Sequence, residues 1–385
     1  MTELEIKIKE QFLSKYDSEP ILINSPGRVN LIGDHTDYND GFVLPAAIDK
    51  VIVLGIASNK LGKIRAFSAD MNESVVLDLN DLHKSDKHWA NYIKGVVAEL
   101  QKEKFKLKGF DVVFGGNIPI GAGLSSSAAL EGALTVGLNK LFKLKIDRKK
   151  MARIGQLTEH KHVGVKCGIM DQFINLHGEP EKALKLDCRT LDYDLYPFHQ
   201  EDNKIVLCNS KVSHNLAESE YNVRRSQCEK GVKILKKYDP EIQNLRDVSM
   251  ELLMEHQGEL GPVVFKRCKF VLEENKRVHN ACEDLSKDDL SSFGQRMFES
   301  HEGLSNDYEV SCEELDILVE LAKDQPGLLG CRMMGGGFGG CTINLVENDQ
   351  VKPFTEYISK AYKERTGIEA EIYITRINGG ARIIE

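Results

Sequence analysis

The sequence lacks any run of about 18 consecutive apolar residues, so no segment is predicted to span a bilayer. Residues 1–12, MTELEIKIKEQF, alternate charged and apolar side chains and do not form the apolar core of a signal peptide. The 51 Lys and Arg residues are outnumbered by 59 Asp and Glu residues, and no basic stretch is interleaved with aromatic residues. We therefore expect a cytoplasmic protein with no membrane partner, no nucleic-acid partner and no obligate protein partner.

Disulfide and zinc motifs are also missing. The nine cysteines never form a C-x-x-C pair, and their odd number argues against a complete disulfide framework. Free thiols in a reducing cytoplasm are the simpler interpretation. His160 and His162 are too close in sequence to share one helical face, and His301 lacks the second histidine of a zinc-protease helix. No zinc site is predicted.

The length of 385 residues allows two domains, each with a sizeable core. Segment 184–198, LKLDCRTLDYDLYPF, has an irregular pattern and is interpreted as the crossing between them. We place the N-terminal domain at 1–195 and the C-terminal domain at 196–385, with about the last 15 residues as candidates to return to the first domain. No repeat, low-complexity tract or flexible linker is found.

Hydrophobic periodicity and turn residues predict alternating helices and strands. Helices are predicted at 4–16, 89–101, 126–142 and, as a long charged series, 216–323. Strands are predicted at 21–24, 51–54, 74–79, 110–114, 204–209 and 369–375, with a strand–glycine loop–strand unit at 329–346.

The most informative segment is PIGAGLSSSAA at 119–129, between a predicted strand and a predicted helix. Its glycines let the backbone approach an anion, and the first N–H groups of the helix favour phosphate. No lysine follows the glycines as in a P-loop, and Ser126 replaces the third glycine of G-x-G-x-x-G. The H-R-D and D-F-G motifs of protein kinases are absent. The alternative interpretation is a tight turn before a buried Ala-rich helix.

A second glycine cluster occupies 335–340, GGGFGG. Glycines are entropically costly to order. A cluster of this density therefore indicates close approach of the backbone or unusual φ angles. A ligand-binding loop and a buried hairpin turn with bulges both fit this pattern.

A polar segment at 25–39, SPGRVNLIGDHTDYN, gathers one Arg, two Asp, one His and two Asn residues. Sugars require many oriented donors and acceptors, and such a segment can supply them. The alternative is a loop in which the Asp and Asn side chains satisfy their own backbone.

Asp171 lies among apolar residues at 167–173, CGIMDQF, and a carboxylate in such a place is either paired or functional. Phosphoryl transfer needs a group that orients or deprotonates the attacking hydroxyl, and Asp171 suits this task. Arg28 could spread the developing charge, or hold Asp171 ionised by proximity. The alternative is that Asp171 caps a helix over 172–176.

Glu159, on a predicted helix over 151–162, is a candidate carboxylate for Mg²⁺. Magnesium in nucleotide sites takes one or two protein oxygens in addition to phosphates. The alternative is a solvated glutamate on a helix face.

Taken together, the motifs SPGRVNLIGDHTDYN, PIGAGLSSSAA and MGGGFGGCT resemble those of the galactokinases, in the same order. The superfamily also contains homoserine, mevalonate and phosphomevalonate kinases. The first motif is similar to the galactokinase signature, whereas the other two belong to the wider superfamily. Further similarity in GIMDQ, NSKVSHNLAESEYNVRRSQCE and SHEGLSNDYEVSCEELD extends the match over nearly the whole chain. It implies a mixed α/β fold of two domains with the active site between them.

The resemblance implies transfer of the γ-phosphoryl group of Mg-ATP to the C1 hydroxyl of α-D-galactose, the first step of galactose catabolism. It assigns catalysis to Asp171 and Arg28. It assigns the sugar to Asp34, His35, Asp37, Gly168 and Tyr221. It assigns ATP to Gly121, Ala122, Gly123, Leu124, Ser125, Ser126 and Ser127. It assigns Mg²⁺ to Ser127 and Glu159, with the choice among the three serines open.

One residue departs from the family pattern. Galactokinases usually carry Glu where this sequence has Asp34, and the loss of one methylene withdraws the carboxylate by about one bond length. A sister kinase for N-acetylgalactosamine or another sugar is therefore an alternative. A non-catalytic sugar and ATP sensor is a second alternative, which the intact SSSAA segment and the presence of Asp171 disfavour.

Overall fold

The structure is a computed structural model that describes residues 1–119, 121–198, 201–213 and 217–384. Ile120 of the glycine turn and residue 216, where the helical series is predicted to begin, lie outside the described residues. The α-helices within the described residues are α1 Glu3–Lys15, α2 His88–Lys102, α3 Ser126–Phe142, α4 Arg148–Thr158, α5 Met170–His177, α6 Ala217–Leu235, α7 Met250–Glu255, α8 Gln257–Ser286, α9 Leu290–Asn306, α10 Glu313–Lys323 and α11 Val351–Thr366. The strands are β1 Ile21–Asn30, β2 Phe42–Val43, β3 Pro45–Ser58, β4 Lys63–Ser68, β5 Glu73–Asp78, β6 Phe110–Gly116, β7 Lys182–Asp187, β8 Tyr193–Pro197, β9 Asn203–Ser213, β10 Leu328–Met333, β11 Gly339–Glu347, β12 Glu371–Thr375 and β13 Arg382–Ile384.

A six-stranded sheet carries the N-terminal half, in the order β13-β1-β3-β6-β4-β5. Only the β4–β6 pair is parallel among the described pairings of this sheet. The apolar run of β3 divides with period two: Val51 and Val53 pack with α1, whereas Ile52 and Leu54 join the main core. Each face of β3 therefore buries its own set of side chains, and each fully buried one contributes about 1.5–3 kcal/mol.

An antiparallel sheet of four strands, β10-β11-β9-β12, carries the second glycine cluster between β10 and β11. Its outer face packs Val206 and Cys208 against side chains of α10 and α11, such as Leu318 and Ile358. The predicted strand–glycine loop–strand unit is confirmed. The loop is thus fixed at both ends by hydrogen-bonded strands.

The expectation that 184–198 is irregular is wrong. Strands β7 and β8 pair antiparallel here, with Leu184 opposite Leu195, and β2 completes a three-stranded sheet. Leu184 and Leu186 are fully buried, while Lys185 and Asp187 between and after them are half-buried. Buried apolar and half-buried charged side chains therefore alternate along β7, which is the pattern of a strand. The acidic and aromatic residues around it obscured that pattern.

Helices α6 to α10 form the region where long charged helices are predicted, and α8 bends at Gly261, whose φ is 72°, just before Pro262. The chain then returns to the first sheet, where β13 pairs with β1 and Ile384 lies opposite Leu22. One apolar core contains residues from Ile23 to Ala381 and so crosses residue 195. Among the described residues, no helix combines the length and the apolar character that crossing a membrane requires.

Candidate active site

The predicted strand–glycine loop–helix unit is confirmed, with α3 beginning and ending where the sequence places it. Gly121 and Gly123 have φ angles of 76° and 71°, a conformation that glycine adopts without strain. Ser125 precedes α3 with φ 58° and its side chain does not cap the helix. The N-terminus of α3 therefore offers backbone N–H groups that the Ser125 side chain does not cap, which suits an anion.

Asp171 is the second residue of α5, whose N-cap is Ile169, so the N-cap alternative is wrong. Its carboxylate accepts hydrogen bonds from Arg28 Nε at 2.7 Å, from Arg28 Nη2 at 2.9 Å and from Ser125 Oγ at 2.5 Å. The predicted proximity of Arg28 and Asp171 is confirmed. Through these bonds the Asp171 carboxylate is fixed to Arg28 and to Ser125, the residue that precedes α3.

Arg28 connects three parts of the site. Its Nη1 donates to the Gly123 carbonyl oxygen at 2.6 Å, while its other nitrogens bind Asp171. Burial opposes the charge on Arg28, but the neighbouring Asp171 carboxylate raises the pKa of the guanidinium overall. Arg28 is therefore a fixed cation beside the glycine loop.

A cavity of about 280 Å³ gathers most of the predicted site residues. Its walls include Arg28, Asp34, His35, Asp37, Ser127, Glu159, Gly168, Asp171 and Tyr221, together with Gly335 and Gly336. Gly121 to Leu124 do not line it: Ala122 and Leu124 are buried, and Gly121 and Gly123 are exposed elsewhere. An added Cβ at Gly335 would lie 3.6 Å from the Gly123 carbonyl oxygen, so the two glycine loops are neighbours.

Asp34 is buried, and its carboxylate has three partners. Its carboxylate forms an ion pair with Arg332 and accepts from Asn30 Nδ2 at 3.0 Å and from the Gly335 N–H at 3.3 Å. Part of the alternative for this segment is right, because Asp37 Oδ1 accepts from the Tyr38 N–H and Asn39 Nδ2 donates to the His35 carbonyl oxygen. The carboxylate nevertheless lines the cavity.

Arg332 is a residue that the sequence reasoning missed. It is fully buried, and besides Asp34 it donates to the carbonyl oxygens of Leu31 at 2.9 Å, Met333 at 2.9 Å and Asn30 at 3.0 Å. It thereby ties β10 to the segment after β1. The available signal was an arginine inside the apolar run LLGCRMM, since such a charge is rarely buried without a partner.

Asp37 contacts Gly168 closely, and an added Cβ at Gly168 would lie 1.9 Å from Asp37 Oδ2. A larger residue at position 168 would therefore displace the Asp37 carboxylate. Loss of water around the Asp37 carboxylate raises its pKa to about 7, and repulsion from Asp171 acts in the same direction. Burial likewise raises the pKa of Tyr221, which stays a neutral phenol.

Glu159 is buried, so a solvated glutamate on a helix face is the wrong interpretation. It follows α4 and begins a π-helical turn over Glu159–Val163. Its carboxylate and the Ser127 hydroxyl line the same cavity as Asp171. A hydroxyl at the start of α3 and a carboxylate after α4 form a set of oxygen ligands that suits Mg²⁺ completed by phosphate oxygens.

A second cavity, of about 460 Å³, adjoins the first and shares Tyr92 and Ser127 with it. Its other walls include the apolar side chains of Trp89, Phe114, Leu130 and Ile52. Ser126 and several charged residues between 70 and 88 also line it. Sequence reasoning missed this cavity, because its walls come from α2, α3 and four strands. The only signal was the position of the single Trp at the start of α2.

The fold and the site define a class of small-molecule kinase. The model of the GHMP kinase N-terminal domain matches residues 91–179, and that of the GHMP kinase C-terminal domain matches residues 281–364. A solved mevalonate kinase shares the fold with a TM-score of 0.64 at 19% identity, covering 93% of this chain and 99% of its own.

Within that class the similarity is narrower. The galactokinase galactose-binding signature matches residues 10–58. A galactokinase of Roseiflexus sp. is 40% identical over 97% of this chain and 96% of its own, and one of Fusobacterium nucleatum is 41% identical over 95% and 96%. The structure of Lactococcus lactis galactokinase complexed with galactose has a TM-score of 0.94 at 36% identity and covers 98% of this chain and 99% of its own. The chain belongs to the galactokinase family, and the predicted fold class is confirmed.

Proposed function

We propose that this chain phosphorylates galactose, transferring the γ-phosphoryl group of ATP to the C1 hydroxyl and releasing galactose 1-phosphate and ADP. The observation that carries the proposal is the position of Asp171. Its carboxylate faces the cavity that the polar segment lines, and it is 2.5 Å from Ser125 of the phosphate loop. A sugar in that cavity would lie between a carboxylate and a triphosphate.

In the proposed mechanism, Asp171 orients the C1 hydroxyl and accepts its proton. The hydroxyl oxygen forms a bond to the γ-phosphorus while the bond from that phosphorus to the bridging oxygen of ADP breaks. Arg28 holds the Asp171 carboxylate in position through its paired hydrogen bonds. Because the transition state of phosphoryl transfer is loose, positioning and charge supply most of the catalysis.

The nucleotide is proposed to lie across both cavities. Its phosphates would meet the N–H groups at the start of α3 and the backbone of the glycine loop at 121–124. Its base would occupy the second cavity, where the walls formed by Trp89 and Phe114 suit a flat aromatic ring. The γ-phosphate then points toward Ser127 and the cavity that contains Asp171.

Mg²⁺ is part of the proposal, with Ser127 and Glu159 as its protein ligands. The ion would neutralise charge on the phosphates. Among the three serines, Ser125 donates to Asp171 and Ser126 lines only the second cavity, whereas Ser127 lines both. This arrangement favours Ser127 as the serine that meets the ion.

The sugar hydroxyls are proposed to bind Asp34, His35, Asp37 and Tyr221, with the backbone of Gly168 beside them. The shorter Asp34 is braced by Arg332, so its carboxylate keeps a fixed position in the wall. N-acetylgalactosamine and other sugars remain the alternative acceptors.

Two further parts of the proposal concern location and domains. A reducing cytoplasm suits a chain whose nine cysteines are all free. The division near residue 195 is retained as a proposal, and the pairing of β13 with β1 supports a return of the last residues to the N-terminal domain.

An assay of ADP release over a panel of sugars tests the proposal, with NMR locating the phosphorylated carbon. Galactose is expected to give the highest kcat/KM, with phosphate on C1. If N-acetylgalactosamine gave the higher kcat/KM, it would be the substrate in place of galactose. Galactose and ATP binding without turnover would make the protein a sensor rather than a kinase.

A further inference from the structure

A chain of hydrogen bonds runs from the cavity into the protein behind it. His35 Nδ1 lies 2.8 Å from Tyr38 Oη, and Tyr38 Oη lies 2.8 Å from Tyr308 Oη. Tyr308 Oη in turn lies 3.2 Å from Cys228 Sγ. His35, Tyr308 and Cys228 are buried and Tyr38 is half-buried. The chain joins the polar segment after β1 to α6 and to the turn after α9.

The cavity end of this chain is the second nitrogen of His35. Nε2 is buried and has no hydrogen-bond partner among the residues that the structure describes, and the imidazole lines the cavity. His35 also has φ 66°, a strained conformation for a residue other than glycine, and Asn39 Nδ2 donates to its carbonyl oxygen at 2.9 Å. The ring is therefore held in place at the cavity wall, where a ligand or the nearby Gly336 backbone can serve as the partner of Nε2.

The imidazole is neutral, because burial lowers the pKa of His35 to about 3, with a partly opposing contribution from the backbone of Gly336. One nitrogen of a neutral imidazole donates and the other accepts. Burial also raises the pKa of Tyr38, Tyr308 and Cys228, so each of them keeps its hydrogen. The hydrogens along the chain can consequently point in only two concerted directions.

The two directions differ at their ends. If the hydrogens point toward His35, the chain ends in an O–H bond to an imidazole nitrogen, and the Cys228 thiol donates to Tyr308. If they point away, the chain ends in an O–H bond to sulfur, which is a weak acceptor, and the imidazole donates to a phenol oxygen. The first arrangement uses the better acceptor. Arg224 fixes this end of the chain, since its Nε donates to the Tyr308 carbonyl oxygen at 2.9 Å.

We propose that Tyr38, supported by Tyr308 and Cys228, is a positioning residue that holds His35 in the tautomer with its hydrogen on Nε2. His35 then presents a donor, and not an acceptor, to one oxygen of the substrate. The hydroxyl that accepts from His35 must direct its own hydrogen to another acceptor, and the Asp34 and Asp37 carboxylates line the same cavity. The inference rests on the proposed function only in taking that substrate to be a sugar.

The tautomer can be measured without any substrate. In protein labelled with ¹⁵N-histidine, long-range ¹H–¹⁵N spectra report which ring nitrogen carries hydrogen, and the variant His35→Gln identifies the His35 signal. We expect hydrogen on Nε2 and none on Nδ1 in the wild type, and a changed population in Tyr38→Phe. Hydrogen on Nδ1 in the wild type would overturn the inference, whatever the sugar assay shows.

Kinetics with deoxy and deoxyfluoro galactoses test the consequence. Fluorine accepts a hydrogen bond weakly and cannot donate one. At one carbon, the fluoro sugar is therefore expected to exceed the deoxy sugar several-fold in kcat/KM, and Tyr38→Phe should abolish this preference. The same variant should raise KM for galactose about tenfold, which corresponds to 1.4 kcal/mol, with a smaller change in kcat.

Cys228→Ser is the matched control, because a hydroxyl keeps the donor at the far end of the chain, whereas Cys228→Ala removes it. We expect the serine variant to retain the wild-type tautomer and the fluoro preference, and the alanine variant to lose part of both. Equal fluoro and deoxy rates at every carbon in the wild type would contradict the inference. So would a Tyr38→Phe protein with an unchanged tautomer. If the wild-type protein carries hydrogen on Nε2 but does not turn over galactose, the proposed function alone would be overturned.

Discussion

Two Arg–Asp pairs each place a carboxylate at the same cavity, but the pairs differ in their surroundings. In the pair of Arg28 and Asp171, 26% of the Asp171 side chain is exposed, and Ser125 also binds its carboxylate. In the pair of Arg332 and Asp34, the two side chains are 0% and 2% exposed. Arg332 is further bound by three carbonyl oxygens, whereas Arg28 binds the carbonyl oxygen of Gly123.

The difference in exposure indicates different roles, catalysis for Asp171 and stabilisation of the fold for Arg332. Asp171 remains accessible to a hydroxyl and can exchange a proton with it. Asp34 and Arg332 are closed in, so their pair is suited to joining β10 and the second glycine loop to the polar segment after β1. Variants of Asp171 should therefore change turnover, and loss of Arg332 should change stability.

The largest effect is expected for Asp171→Asn. The amide cannot accept the hydroxyl proton, so kcat should fall by about 10²–10⁴-fold. Nucleotide affinity, measured by calorimetry with a non-hydrolysable ATP analogue, should stay within a few-fold, because only the reacting end changes. Near-normal turnover would remove Asp171 from the chemistry.

Arg332→Met should affect stability most. It leaves the buried Asp34 carboxylate without its cation, so the free energy of unfolding in urea should fall by about 3–5 kcal/mol. The double variant Arg332→Met with Asp34→Asn should recover part of the loss, because no charge is then left unpaired. A single variant as stable as the wild type would contradict the architectural role.

The pH dependence of sugar binding should follow Asp37. With its pKa raised to about 7, the carboxylate becomes a full acceptor only above that pH, so KM for galactose should rise as the pH falls below 7. Asp37→Asn should flatten this dependence, even though it weakens binding. A wild-type KM that is constant from pH 6 to pH 8 would contradict the assignment.

The raised pKa of Asp37 also makes the stability of the protein depend on pH. The folded protein retains the Asp37 proton at pH values where the unfolded chain releases it. The contribution of Asp37 to the free energy of unfolding should therefore decrease as the pH rises from about 4 to about 7. Urea denaturation of Asp37→Asn and wild-type protein at pH 5 and pH 8 checks this, since the variant should gain relative to the wild type at the higher pH.

The smallest effect is expected for Asp34→Glu. The longer side chain keeps its charge beside Arg332 and reaches further into the cavity, so galactose use should be kept or improved. KM and kcat for galactose measure this directly. A large loss would mean that the pocket is built around the shorter carboxylate.

The sequence predicted the features that depend on neighbouring residues. Helical periodicity gave both ends of α3, and the glycines before it indicated the loop. Asp171 is recognisable as an acidic residue in an apolar segment, and proximity to Arg28 is one of the two possibilities that the sequence leaves open for that arginine. In each of these cases a short stretch of chain contains the physical cause.

Features built from distant residues were not predictable in this way. Arg332 and Asp34 are 298 residues apart, and Tyr38 and Tyr308 are 270 apart, so nothing local in either segment names its partner. The cavity beside Trp89 depends on how α2 packs near α3. The hairpin of β7 and β8 was missed because its acidic and aromatic residues obscured a short alternation.

The central claim is that Asp171 faces the acceptor hydroxyl while the start of α3 binds the phosphates. A crystal structure with galactose and a non-hydrolysable ATP analogue measures this most directly. We expect the C1 hydroxyl within about 3.2 Å of an Asp171 carboxylate oxygen, with the γ-phosphate beside Ser127. A C1 hydroxyl directed away from Asp171, or a triphosphate bound far from α3, would contradict the account.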